Sequence, residues 1–143
     1  MFSLCKNMKN QDLELAKLKL IEDKLSLVIV KNGNVVFETK KQGVSGFLHA
    51  IDYLSPDLVE ASVADKIIGV AAAMLCVYSK VSSVFALTIS EQGIKVLSGN
   101  NIVCQFEKKV SNIMNRDKTG VCPFEKLAIA SGNSKDAYVK LKA

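Results

Sequence analysis

From Ser62 to Ser79 the chain carries one acid and one base, Asp65 and Lys66, and from Ile67 to Ser79 it carries no charge at all. Read at helical spacing, this stretch is apolar on nearly every face. A helix apolar all round has to be buried, so the chain must fold into layers that cover it from more than one side. The uninterrupted apolar run is about 12 residues, against the ~20 that a bilayer-spanning helix needs, and the burial is therefore expected inside a protein core and not in lipid.

The remaining pattern supplies those layers. Asp12 to Asp23 is rich in strong helix formers and predicts a first helix, preceded by a tail over residues 1–10 that is expected to be flexible. Leu25–Val30 and Val35–Thr39 are β-branched runs flanking Asn32-Gly33-Asn34, a strong hairpin signal. After Gly43 and Gly46, helical spacing of Phe47, Leu48, Ile51 and Leu54 predicts a second helix closed by Ser55-Pro56. The helix expected from Ser62 to about Ser79 follows. Then come a strand over 82–89, a helix over 90–97 capped by Ser90, a strand over 102–107, and a polar loop or short strand over 108–121. A helix begins at Pro123, and Ser134 is expected to cap the last one. Strand–helix–strand units call for parallel neighbours, and the hairpin adds antiparallel pairing. The expected fold is an α/β class three-layer α/β/α sandwich with a mixed sheet, in one domain over residues 11–143.

Composition narrows the partners. At 143 residues the chain can bury roughly two-thirds of its unfolded surface, so no disulfide or metal staple is required. The cysteines at 5, 76, 104 and 122 show no CxxC spacing and read as reduced thiols of a cytoplasmic protein. The start of the chain has no basic segment followed by an apolar run and a cleavage site, which fits the same compartment. The net charge of +5 comes from 18 scattered lysines and a single arginine, with no tryptophan. A nucleic-acid groove adds arginine and exposed aromatics, so neither nucleic acid nor membrane is expected as a partner.

Several phrases carry a family resemblance: Ser26-Leu-Val-Ile29, Val63-Ala-Asp-Lys-Ile-Ile-Gly69 with Ala71-Ala-Ala73, Ser90-Glu91, and Asn115-Arg-Asp117 with Cys122-Pro123 and Glu125. Over residues 12–130 the chain resembles an uncharacterised family of small prokaryotic proteins, a domain of unknown function with a cytidine deaminase-like fold. The resemblance implies that scaffold, a cleft at one sheet edge and a tendency to self-associate. It does not imply the chemistry. Deaminases place a His/Cys-x-Glu and a Pro-Cys-x-x-Cys at two helix starts to hold zinc. Here the corresponding starts read Val63-Ala-Asp-Lys66 and Ser90-Glu-Gln-Gly93. His49 is the lone histidine, and a catalytic zinc wants three protein ligands close together. No metal and no other cofactor is expected.

The candidate site residues are Asp65, Lys66, Ser90, Glu91, Asn115, Arg116, Asp117, Cys122 and Glu125. Asp65 stands three residues after Ser62, the spacing of a capping box, and would either satisfy the helix start or face a ligand. Lys66 in a first turn opposes the helix dipole unless an anion or an acid answers it. Glu91 follows a cap and, if it lies near Asp65, would form a carboxylate pair able to shift a pKa. Arg116 offers a planar fork to a phosphate or carboxylate, or an internal pair to Asp117 or Glu125. Cys122 precedes Pro123 at a helix start, where a thiol can become nucleophilic if a base is at hand. Two function classes follow. One is a metal-free module that binds a small anionic ligand such as a nucleotide between two helix starts. The other is an enzyme using Asp65 and Glu91 for acid–base work, or Cys122 as nucleophile, on a nucleotide-like substrate. A scaffold acting through oligomer contacts is a third.

Overall fold

The hairpin forms where its turn chemistry demands. In the computed structural model, which describes residues 2–114, 120 and 122–143 (side chains from Asn10 onward), β1 (Leu27–Lys31) and β2 (Asn34–Thr39) pair antiparallel with Lys31 opposite Asn34. Asn32 and Gly33 fill the two-residue loop at φ 53° and 80°, the left-handed pair that a twisted hairpin requires. Asp12 fastens this turn to the first helix, its Oδ1 accepting the Gly33 N–H at 2.9 Å.

That helix, α1, runs Phe2–Glu22 and so begins ten residues before the expected start, taking in the stretch read as a tail. Leu13, Ala16 and Leu20 recur at i, i+3 and i+7 and bury against Val28, Val30, Ala64 and Phe85 on one face of the sheet. Lys17 lays its ammonium 5.1 Å from the centre of the Phe85 ring.

The other helices are α2 (Val44–Leu54), α3 (Val70–Ser79), α4 (Glu91–Gly99), α5 (Pro123–Ile129) and α6 (Ser134–Lys142). They share the second core, on the opposite face, with Leu27, Ile29, Val63, Val84 and Ala86. The three layers are α1, the sheet, and this helical layer. The sheet order is β2-β1-β3-β4-β5, with β3 (Ser62–Ile68), β4 (Ser83–Ser90) and β5 (Val103–Val110) parallel to one another and β3 antiparallel to β1. The mixed α/β/α sandwich expected from the sequence is present. Among the described residues no helix is long and apolar enough to cross a membrane.

One expectation fails, and it matters for the site. Residues 62–68 are a strand, not the first two turns of a helix. β3 sits in the middle of the sheet, hydrogen-bonded on both edges, and its first three residues are buried. A strand covered on both faces reads as a continuous apolar run and loses the alternation that marks a strand. Ser62 caps nothing; its hydroxyl pairs with that of Ser83 at 2.8 Å inside the core. The helix proper starts after Gly69, with seven of its ten residues buried. A smaller correction concerns α6, where the Asn133 side chain, not Ser134, accepts the Asp136 N–H at 2.8 Å.

Candidate functional site

Parallel strands leave a crevice beyond their carboxyl ends, where the following helices begin. Here β3 ends at Ile68 and β4 at Ser90, and the starts of α3 and α4 converge there. Their approach is close because glycines meet there, Gly69 ahead of α3 and Gly93 in the first turn of α4: a Cβ on Gly93 would lie 3.3 Å from the Gly69 carbonyl oxygen. Beside them opens a cavity of about 520 Å³. Its walls are largely apolar, from Val44, Ile67, Val110, Ile113, Met114 and Phe124, and its polar lining includes Ser26, Lys66, Thr88 and the two acids Asp65 and Glu125.

The start of α3 is already occupied by an anion from the chain itself. The Glu125 carboxylate, on a residue 5% exposed, accepts the N–H groups of Val70 at 2.7 Å and Ala71 at 2.9 Å. These are two of the donors that a helix start leaves unpaired, and the positive end of the helix dipole adds to the attraction. The carboxylate rests against the bare α-carbon of Gly69, where any Cβ would collide with both of its oxygens. Burial pushes the Glu125 carboxyl above the usual range, and the bonds from Ala71 and Val70 pull the other way. The start of α4 is likewise closed, the Ser90 hydroxyl accepting the Gly93 N–H at 3.0 Å.

Asp65 lies on β3, opposite Leu27 and Ala86, and lines the cavity. It is not a helix-capping residue, because no helix begins at Ser62. Its Oδ1 accepts the Ile67 N–H at 3.2 Å. Burial nonetheless raises its pKa to about 7, against the smaller opposing effect of the Ile67 and Lys66 N–H groups. Cys76 is buried on α3, close enough to Asp65 to feel its charge. Burial lifts the Cys76 thiol well above its ordinary value, and the Asp65 charge and Cys104 lift it further.

Of the residues singled out from the sequence, Asp65, Lys66, Cys122 and Glu125 line the one cavity. Ser90 is buried behind it as a helix cap, and Glu91 is exposed and outside the lining, so the expected Asp65–Glu91 pair does not form there. Asp65 shares the cavity with Glu125 instead. Asn115, Arg116 and Asp117 lie outside the described residues. His49 packs between the rings of Phe37 and Tyr53, at centroid distances of 6.0 and 5.8 Å, and is not part of the cavity. Cys76, Cys104 and Cys122 are free thiols. Among the described residues no three His, Cys, Asp or Glu side chains gather to hold a metal. What the sequence reading missed is Gly69 with the Val70 and Ala71 N–H pair. The signal was there, since a lone glycine inside an apolar run marks a break or a close approach.

No curated protein matches the sequence. Among solved structures, a DUF1893 family protein from Thermotoga maritima superposes with a TM-score of 0.81 at 26% identity, covering 91% of this chain and 88% of that one. More distant are RibD from Acinetobacter baumannii, with a TM-score of 0.49, 18% identity and coverage of 75% of this chain and 36% of that one, and a dCMP deaminase from the cyanophage S-TIM5, with 0.48, 13%, and 73% and 98%. The family described as a domain of unknown function, DUF1893, matches residues 15–143, nearly the whole of the fold just described. The chain belongs to the DUF1893 family.

Proposed function

We propose that this protein is a metal-free module that binds a small nucleoside- or nucleotide-like ligand in the cavity beyond β3 and β4. The observation that carries the reading is a carboxyl group with a pKa of about 7 in the lining of a mostly apolar cavity of about 520 Å³. A mostly apolar cavity with a few placed polar groups is the usual form of a small-molecule site. Asp65 can accept from an N–H edge when ionised and both donate and accept when protonated. The apolar walls suit the faces of a flat ring. Any phosphate is expected to lie outward, toward Lys66, which is exposed. It is not expected on the helix starts, because Glu125 and Ser90 hold the donors there. This revises the sequence-based picture of an anion seated between two helix ends.

The test is calorimetric titration with nucleosides, nucleotides and inorganic phosphate, on the native protein and on Asp65→Ala. Nucleoside binding that the substitution weakens at least tenfold supports the reading, as expected for a lost hydrogen bond to a charged group. Phosphate binding alone, or nucleoside binding indifferent to Asp65, overturns it. The same carboxyl favours one second reading, an enzyme in which Asp65 moves a proton. A pKa near neutrality suits a general acid or base, and turnover of a bound nucleoside, abolished in Asp65→Asn, would establish it.

A further inference from the structure

We propose that α5 is a latch on the cavity, closed by the Glu125 carboxylate. Three observations meet on this helix. Its first turn, through Cys122, Phe124 and Glu125, forms one wall of the cavity. It buries only Glu125 and Ala128, while Phe124, Leu127 and Ile129 are 43%, 42% and 49% exposed. Its start is tied to Ile113, whose carbonyl accepts the Cys122 N–H at 3.0 Å, and the contact that holds it to α3 reaches 55 residues back along the chain, from the Glu125 carboxylate to the Val70 and Ala71 N–H groups. The Glu125 carboxylate therefore acts as a tethered ligand of the α3 start, seated in a cradle that the bare Gly69 leaves open.

A helix that buries only one alanine and one carboxylate has little apolar burial to resist opening, and local opening draws on such elements first. Breaking the two bonds lifts the wall off the cavity and frees two N–H groups that nothing else within the helix can satisfy. α3 and the central strands, with most of their residues buried, stay in place. One wall of the cavity is thus an element that opens separately from the core, without unfolding of the sheet.

Amide hydrogen exchange on the whole chain, followed by peptide mass spectrometry, tests this. In the native protein, amides of α5 should exchange ahead of those in β3, β4 and the body of α3. Glu125→Ala should speed α5 exchange at least tenfold with the sheet unchanged, since hydrogen bonds to a charged group are lost. Formate should slow the exchange of that variant and raise its melting temperature, whereas chloride at equal ionic strength should do neither. If Glu125→Ala does not fold, Glu125→Gln keeps the shape and one acceptor, and α5 exchange in it should still be faster than native. The proposal is overturned if α5 exchanges in step with the sheet in the native protein. It is also overturned if the variant that folds leaves α5 exchange unchanged, or if formate acts no differently from chloride.

Discussion

Replacing Gly69 with alanine should be one of the most damaging single-methyl additions this chain can receive. The added Cβ would collide with both oxygens of the Glu125 carboxylate, a contact that no atom pair tolerates, so the carboxylate must leave its seat. Two hydrogen bonds from a helix start to a buried carboxylate are then lost. Each is worth about 1.5–3 kcal/mol in net terms. Cavity water can reach part of the vacated site, so the lower end is the better guide, and the total should be about 3 kcal/mol. For a domain of this size that lowers the melting temperature on the order of 10 °C. Backbone strain is not the cause, because Gly69 sits at φ −109°, ψ −160°, open to any residue. The assay is a double-mutant cycle in urea with Gly69→Ala, Glu125→Ala and the pair. In the Glu125→Ala background the carboxylate that the alanine at 69 would strike is gone, and the substitution should change stability by less than about 1 kcal/mol, the difference between glycine and alanine at a helix cap. The coupling should therefore exceed about 2 kcal/mol. If Gly69→Ala costs the same in both backgrounds, the bare α-carbon does not exist for the carboxylate and the reasoning fails.

Two further predictions follow the same chemistry. Asp65 has its pKa raised to about 7 by burial, so the folded state holds the proton more tightly than the unfolded one. Its contribution is complete below about pH 4, is lost as pH rises to about 7, and is flat above. Three units set a ceiling of about 4 kcal/mol, of which a half-buried residue should realise about 1–2 kcal/mol. Asp65→Asn should flatten the stability profile between pH 4 and 7 and gain stability at pH 8; an unchanged profile in urea titrations refutes it. Lys80 closes α3 in the left-handed conformation at φ 60°, which costs a side-chain-bearing residue about 1 kcal/mol. Lys80→Gly should recover most of that in equilibrium unfolding, and a loss of stability would show that the lysine side chain contributes more than the strain.

How much of this was legible in the sequence depends on the range over which each feature is decided. Asn32-Gly33 makes its hairpin because two adjacent residues adopt left-handed angles with little penalty. Ser90 caps α4 because its hydroxyl reaches an N–H three residues on. Such features are local, and residue order determines them. The alternation of helical and β-branched segments likewise specified the layers. The stretch from Ser62 to Ile68 was different. Its residues are apolar enough for a buried helix or a buried strand, and only β1 on one edge and β4 on the other decide for the strand. That choice moves Asp65 and Lys66 from a helix start to a strand end, and hands the helix start to Gly69, Val70 and Ala71. The site followed the same division. Sequence identified Asp65, Lys66, Cys122 and Glu125 by their chemistry, and tertiary structure brought them to one cavity while leaving Glu91 outside. Whether the donors at α3 face a ligand or the chain's own carboxylate turns on a contact across more than fifty residues, and a contact of that span is fixed by packing, not by the local order of residues.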